Sequence, residues 1–143
     1  MKYFLDSNII IDLLKNKPET QKKIIEISSD DTSELYINRL VYIECLRNIK
    51  YQDSKIFKQA VATLNIFEKL DINQAIYDEA IEISRYCQMN GVTLKGKCAV
   101  IDFIHFITAK HYNLNIISND KDLEKIEEQY ENLEMTRKLT INN

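Results

Sequence analysis

Short apolar runs alternate with longer helical patterns along the chain, and this alternation predicts an α/β fold. Apolar runs predict strands at residues 3–6, 34–37, 70–72, 114–118 and 133–136. Helical periodicity predicts helices over residues 8–15, from Pro18 onward, from 39 through 49, and over 54–68, 74–90, 99–112 and 120–129. Strands separated by helices are typical of a mainly parallel sheet between helices. We therefore expect an α/β sandwich in one domain, residues 1–143.

Two acidic residues stand where predicted strands end. Asp6 closes the first strand, and Asp120 comes two residues after the strand that ends at Ser118. Because ligands of parallel sheets gather outside the carboxyl ends of the strands, we expect both carboxylates at one edge of the sheet. Each aspartate could instead cap the helix that follows it, since Asp is a good N-cap residue.

Two more acids lie in segments that are otherwise apolar. Glu44 stands in VYIECL and Asp102 in AVIDFIHFI, where an unpaired charge costs several kcal/mol. Glu44 has only Arg47 one turn away, and Asp102 has no Lys or Arg at that spacing. An ion pair with Arg47 on one helix face is a competing explanation for Glu44. Asp102 could begin a helix, although Ala99–Ile101 already fit the helical pattern. A divalent cation would relieve the repulsion of four converging carboxylates, and oxygen ligands alone favour Mg²⁺ or Mn²⁺ over zinc.

Composition narrows the class of protein without identifying it. The net charge of 19 − 22 = −3 is unlike that of a general nucleic-acid binder, but four acids in one metal site would leave −3 + 4 = +1. Three scattered cysteines without CxxC spacing predict free thiols in a reducing cytoplasm. The sequence has no apolar run of roughly 20 residues, so we expect no membrane span, and no secretory leader is expected either.

Four segments together resemble the PIN-domain nucleases, most closely the VapC-type toxins of toxin–antitoxin pairs. These segments are FLDSNIIIDLL, VYIECLRN, IDFIHFITAKHYNLNIISND and KDLEKI. The resemblance implies a three-layer α/β/α sandwich and a Mg²⁺- or Mn²⁺-dependent ribonuclease. It further implies an RNA substrate, an inhibitory antitoxin protein and a homodimer. The site residues that it implies are the catalytic acids Asp6, Glu44, Asp102 and Asp120, of which Asp6, Asp102 and Asp120 hold the metal, and the supporting residues Ser7, Asn8 and Ser118.

Several assignments stay open in the sequence. In SNDKDL the fourth acid is Asp120 or Asp122, and Asp120 is favoured because it is nearer the strand end. Lys95 and Lys97 are either substrate contacts or a solvated turn, and His105 is expected to pack in the core or at an interface. Rival functions are a PIN nuclease of RNA processing without an antitoxin, a catalytically silent binding module, and an aspartyl-phosphate phosphatase. The phosphatase is disfavoured because Asn8 stands where its second aspartate belongs.

Overall fold

The computed structural model describes residues 1–94 and 99–142, which form four strands and seven helices. The strands are β1 (Lys2–Leu5), β2 (Glu34–Asn38), β3 (Glu68–Leu70) and β4 (Asn115–Ile117). The helices are α1 (Ser7–Leu14), α2 (Pro18–Ser28), α3 (Arg39–Leu46), α4 (Ser54–Leu64), α5 (Gln74–Met89), α6 (Ala99–His111) and α7 (Asp122–Asn142).

All four strands join one parallel sheet in the order β3-β2-β1-β4. The first strand is therefore central, and it pairs with β2 on one side and with β4 on the other. Phe4 is in register with Tyr36 of β2 and with Ile116 of β4. The predicted α/β fold with a parallel sheet flanked by helices is confirmed.

Helix boundaries follow the capping signals of the sequence. The side chain of Asn38 accepts a hydrogen bond from the backbone N–H of Val41 at 2.9 Å, and Asn73 does the same for Ile76 at 3.0 Å. Pro18 occupies the first turn of α2, where a missing N–H costs nothing. Gly91 follows α5 with a φ of +68°, a conformation that favours glycine after a helix.

The chain divides into two compact units. The first comprises Met1–Ile72 and Ala109–Asn119 and contains the whole sheet. Its core is built on β1, β2, α1 and α3, because these elements place apolar side chains on the faces that meet. The fully buried residues of this core are Phe4, Leu5, Ile9, Ile10, Ile37, Val41 and Leu64.

The second unit comprises Asn73–Thr108 and Asp120–Asn143. Helices α5 and α7 pack together in it, and Phe106 of α6 meets the ring of Tyr130 edge-on with centroids 5.4 Å apart. Arg137 of α7 donates to Glu79 at 2.7 Å, approaches Glu82 at 2.8 Å and also pairs with Glu134. One guanidinium thus links α7 to α5, and the hydrogen bonds that it donates to Glu79 and Glu134 raise its pKa.

Two sequence predictions need correction in detail. The strand predicted at 133–136 is wrong, because α7 continues through it. Ile126 and Leu133 are both buried at a spacing of two helical turns, which shows that the apolar residues there follow a helical period. The strand predicted at 70–72 begins earlier, at Glu68, because α4 ends at Leu64 and leaves Phe67 buried ahead of the sheet. None of the helices within the described residues is long and apolar enough to cross a membrane.

Candidate active site

Asp6 occupies the junction between β1 and α1 and is only 5% exposed. Its backbone N–H donates to the carbonyl of Ile117 at 3.0 Å, which continues the pairing of β1 with β4 by one residue. One carboxylate oxygen, Oδ1, accepts from the backbone N–H of Ser7 at 2.8 Å. The other, Oδ2, accepts from the hydroxyl of Ser118 at 2.7 Å. Both oxygens of a buried carboxylate are thus fixed at the carboxyl end of the central strand.

The side chain of Asp6 does not make the usual capping bond. An N-cap side chain normally accepts from the second or third residue of the helix, as Asn38 and Asn73 do with the third. Asp6 accepts instead from Ser7, the first residue of α1. Within the described residues it has no Lys, Arg or His partner either. Capping alone therefore accounts poorly for a buried charge at this position.

Ser7 connects the first acid to the second. Its hydroxyl donates to Oε1 of Glu44 at 2.5 Å, so α3 brings the half-buried Glu44 beside the start of α1. Cys45, the next residue, lies close enough for its thiol to donate to the Ser7 carbonyl at 3.9 Å. Burial, together with the negative charges of Glu44 and Asp6, raises the pKa of the Cys45 thiol to about 12. The structure thus brings Asp6, Ser7 and Glu44 together.

Ser118 and Asn8 form the other side of the same cluster. While the Ser118 hydroxyl donates to Asp6, it accepts from Nδ2 of Asn8 at 3.0 Å. Oδ1 of Asn8 accepts from the backbone N–H of Asn119 at 3.2 Å. Asn8 therefore fixes the loop after β4 to the first turn of α1. The predicted supporting residues Ser7, Asn8 and Ser118 all lie beside Asp6.

Two polar residues that the sequence analysis did not single out extend this cluster. Nδ2 of Asn119 donates to Oδ2 of Asp12 at 3.2 Å, and Lys17 pairs with Oδ1 of the same carboxylate at 3.0 Å. Asp12 is thus neutralised by a lysine, unlike Asp6. Asn119 could have been noticed in the sequence, because it lies between Ser118 and Asp120. The sequence could not show that its amide would reach Asp12 on α1.

The remaining acids belong to the second unit. Asp102 lies in the first turn of α6 and is half-buried. Asp120 is half-buried just before α7, and its Oδ1 accepts from the backbone N–H of Asp122 at 2.9 Å. Asp122 is only 3% exposed and lies 3.8 Å from the ammonium group of Lys125. The alternative fourth acid therefore has a cation beside it.

The remaining positions that the sequence singled out are Lys95, Lys97 and His105. Lys95 and Lys97, the predicted substrate contacts, lie outside the described residues. His105 is 1% exposed, which agrees with the expected packing in the core rather than a place at the surface.

The donors in the cluster are suited to one class of metal. Carboxylate and hydroxyl oxygens of Asp6, Glu44 and Ser7 are hard ligands of the kind that Mg²⁺ and Mn²⁺ prefer. In residues 1–94 and 99–142, however, no three His, Cys, Asp or Glu side chains are grouped closely enough to hold a metal ion. The oxygen chemistry therefore fits a hard divalent cation, while a complete ligand set is not assembled among these residues.

Comparisons with known proteins address the family and the fold. The model of the PIN domain family matches residues 3–129, which is most of the chain. No curated protein sequence matches the chain significantly.

Two solved structures share the fold at low sequence identity. The crystal structure of VapBC2 from Rickettsia felis bound to a DNA fragment from their promoter matches with a TM-score of 0.73 and 16% identity, covering 87% of this chain and 92% of that one. A toxin-antitoxin complex from Klebsiella pneumoniae matches with a TM-score of 0.64 and 18% identity, covering 82% of this chain and 86% of that one. At such identities the likeness demonstrates a common fold.

Proposed function

The chain belongs to the PIN domain family, and from this premise we propose that it is a Mg²⁺- or Mn²⁺-dependent endoribonuclease. PIN domains are nucleases, so the family membership supports a hydrolase that acts on phosphodiester bonds. The finer proposal is that the substrate is RNA and that the chain is the toxin of a type II toxin–antitoxin pair.

The arrangement of Asp6 is the observation that carries the proposal. Burying a carboxylate without a cation is unfavourable, because few groups replace its lost hydration. Asp6 is nevertheless buried, and its hydrogen bonds to Ser7 and Ser118 orient both of its oxygens. Glu44 lies on the other side of Ser7, which concentrates negative charge at the end of the central strand. A site that accumulates carboxylates in this way is suited to a cation.

The residues that we propose as metal ligands are Asp6, Asp102 and Asp120, with Glu44 as the fourth catalytic acid. When bound, Mg²⁺ or Mn²⁺ would supply the Lewis acidity that activates water and neutralises charge developing on the phosphate. Ser7 and Ser118 hold Asp6 in one orientation, so that its oxygens need not reorganise when a cation arrives. Asn8 keeps Ser118 in place through its amide group.

The toxin role rests on the family and on the fold neighbours. One of the two solved structures is a toxin-antitoxin complex from Klebsiella pneumoniae, and the other is VapBC2 from Rickettsia felis bound to a DNA fragment from their promoter. We propose by analogy that an antitoxin protein binds and inhibits this chain. The homodimer implied by the sequence resemblance is part of the same proposal, and so is a cytoplasmic location, where RNA and a protein inhibitor would both be available.

Cleavage of RNA under controlled metal conditions tests the proposed activity. The purified protein should cut single-stranded or structured RNA with Mg²⁺ or Mn²⁺ and lose this activity in EDTA. Ca²⁺ should support little cleavage, because it prefers longer bonds and six to eight ligands and so positions the attacking water poorly. Cleavage that persists after exhaustive chelation would contradict the proposal, and Asp102→Asn should reduce cleavage about as much as any other ligand variant.

A catalytically silent PIN-fold binding module is the second candidate. It is favoured by the absence of a three-residue ligand group within the described part of the chain. Thermal melting with Mn²⁺ separates the two candidates. A metal that binds only the folded protein at a hundredfold excess over Kd stabilises it by about 2.7 kcal/mol. The nuclease should show such a rise, diminished in Asp6→Asn, whereas the silent module should show none that depends on this acid.

A further inference from the structure

The segment from Arg47 to Gln59 carries a net positive charge, although the chain as a whole is acidic. It contains four cations, Arg47, Lys50, Lys55 and Lys58, and one acid, Asp53, which gives 4 − 1 = +3. Since the whole chain has a net charge of −3, the remaining residues sum to −3 − 3 = −6. A cationic segment in an otherwise acidic protein is the kind of local footprint that a polyanion requires.

These four cations are all available to a ligand. Each is exposed, and none of them takes part in an ion pair among residues 1–94 and 99–142. Other basic residues of the chain are engaged within the protein, for example Lys17 with Asp12 and Arg137 with three glutamates. Among the described residues, the cations of the 47–59 segment therefore do not stabilise the fold through ion pairs.

Aromatic side chains lie between the cations of this segment. Tyr51 is 100% exposed in the connection between α3 and α4, and Phe57 is 43% exposed on the second turn of α4. Together with Ile49, Lys50, Ser54 and Lys58 they line a depression of about 380 Å³. Proteins that bind single-stranded nucleic acid combine the same two elements, since bases stack on aromatic rings while cations contact the backbone.

This depression shares one lining residue with a larger groove that reaches Glu44 of the candidate active site. Ile49 lines both the depression and a larger groove of about 520 Å³, which is walled by α1, α3 and α4. Glu44 lies in the wall of that larger groove. A chain of nucleotides cut beside Glu44 could therefore continue over Ile49 onto Tyr51 and Lys58 without leaving the surface of the first unit.

We propose that the basic and aromatic surface formed by Lys50, Tyr51, Phe57 and Lys58 binds the single-stranded part of the RNA substrate next to the cleavage site. This inference rests on the proposed ribonuclease function and adds to it the surface on which the RNA strand is bound. The lysines contact phosphates without regard to sequence, and Tyr51 stacks on a base. The surface accordingly contributes affinity and orientation, whereas the chemistry stays with the acids.

Binding and cleavage by the full chain test this proposal. Binding is measured by fluorescence anisotropy with a labelled twelve-nucleotide oligouridylate in EDTA, where cleavage is absent. The double variant Lys50→Ala/Lys58→Ala should weaken binding roughly tenfold and flatten its dependence on salt, because fewer counterions are released. Tyr51→Leu, an exposed change that leaves the fold intact, should weaken binding at least about fivefold by loss of stacking. In cleavage assays with Mn²⁺, both variants should raise KM and leave kcat near that of the wild type.

The matched control is Lys22→Ala/Lys138→Ala, which removes the same charge from two exposed lysines elsewhere on the chain. Equal RNA binding by the test and control variants, with wild-type cleavage intact, would overturn the surface assignment and leave the nuclease in place. Absence of metal-dependent cleavage by the wild type would instead refute the proposed function. Binding of a labelled poly-L-glutamate peptide distinguishes a surface for RNA from a surface for an acidic protein. If the Lys50→Ala/Lys58→Ala variant loses affinity for that peptide while it binds RNA normally, the surface serves an acidic protein partner and the proposal is wrong.

Discussion

The hydroxyl of Ser118 donates a hydrogen bond to Oδ2 of Asp6 across 112 residues of sequence. This bond joins the ends of two neighbouring parallel strands, β4 and β1, at the edge of the sheet where ligands of such folds bind. It also orients a buried carboxylate that has no cation among the described residues. Substitutions of the residues at these strand ends can separate their effect on cleavage from their effect on the stability of the fold.

Asp6→Asn should abolish most of the ribonuclease activity and leave the metal-free protein at least as stable as the wild type. Neutralising the carboxylate removes a buried charge, while the amide oxygen can still accept from Ser7. We expect a loss of kcat of more than about a hundredfold, beyond the range seen for residues that only support metal ligands. RNA cleavage and thermal melting in EDTA provide the two measurements.

Asp31→Asn is the control for this change. Asp31 is exposed and precedes β2, so it lies at the amino end of a strand rather than at the carboxyl end. This control substitution should leave the rate of RNA cleavage and the melting temperature in EDTA unchanged. Full activity in Asp6→Asn, or a clear loss of its folded structure, would show that Asp6 is not a ligand.

Asp120→Asn should reduce activity much more than Asp122→Asn, whereas Asp122→Asn should reduce stability more. At position 120 an amide oxygen can still accept from the N–H of residue 122, so the local turn persists and only the charge is lost. Asp122 is buried beside Lys125 in the first turn of α7, where its charge also favours the helix dipole. We expect Asp122→Asn to cost about 1 kcal/mol in urea denaturation. If Asp122→Asn is the more damaging to cleavage, the fourth acid is Asp122.

Ser118→Ala should lower both stability and activity, but activity by less than the loss of Asp6. The substitution leaves an oxygen of the buried Asp6 carboxylate without its donor and frees the amide of Asn8. We expect a destabilisation of about 1–3 kcal/mol and a tenfold to hundredfold loss of cleavage. Ser29→Ala removes an exposed hydroxyl that donates to the carbonyl of Glu26, and it should change stability by less than about 0.5 kcal/mol. Equal effects of the two substitutions would argue against a special role for Ser118.

Cys87 should resist alkylation in the native protein at pH 8.5 and react on unfolding. Burial on α5 raises the pKa of this thiol, so the reactive thiolate is scarce in the folded state. The same shift makes stability depend on pH. The neutral thiol is favoured in the folded protein, so its contribution is complete below the unfolded pKa of roughly 8.5 and declines as pH rises from there through the raised folded value.

Labelling with iodoacetamide, located on the sequence by mass spectrometry, measures the first effect, and melting between pH 7 and 10 measures the second. Cys87→Ala should weaken the decline in melting temperature above pH 8.5. Rapid native labelling of Cys87 would contradict the burial on which this prediction rests.

The sequence predicts local features well because the forces that determine them act over a few residues. The caps Asn38 and Asn73 and the helix end at Gly91 are features of this kind, since each depends on neighbours within one turn. The failed strand at 133–136 shows the limit of a short apolar window. Four residues fit either a strand or a helix, and only the burial of Leu133 seven residues after Ile126 reveals the helical period.

The sequence predicted that Asp6 and Glu44 would lie close together, but it could not predict the hydrogen bonds that connect them. Both acids were noticed because a carboxylate at a strand end or in an apolar segment is unfavourable without a partner. The sequence could not show that Ser7 would donate to Glu44 rather than cap its own helix, since the two residues are 37 positions apart. The reach of Asn119 to Asp12 over 107 positions was equally hidden. Such contacts depend on how the strands order themselves in the sheet.

The central place of β1 has a consequence for the chain while the ribosome is making it. Residues 2–5 emerge before the other strands, and β2 and β3 can join one side of β1 early, but β4 is translated more than a hundred residues later. Until then the other edge of β1 is open and Asp6 lacks both Ser118 and the carbonyl of Ile117. The nascent polypeptide therefore grows by more than a hundred residues before the hydrogen bonds that orient Asp6 can form. If the finished protein cleaves RNA as proposed, this order of synthesis delays its activity toward the messenger that encodes it.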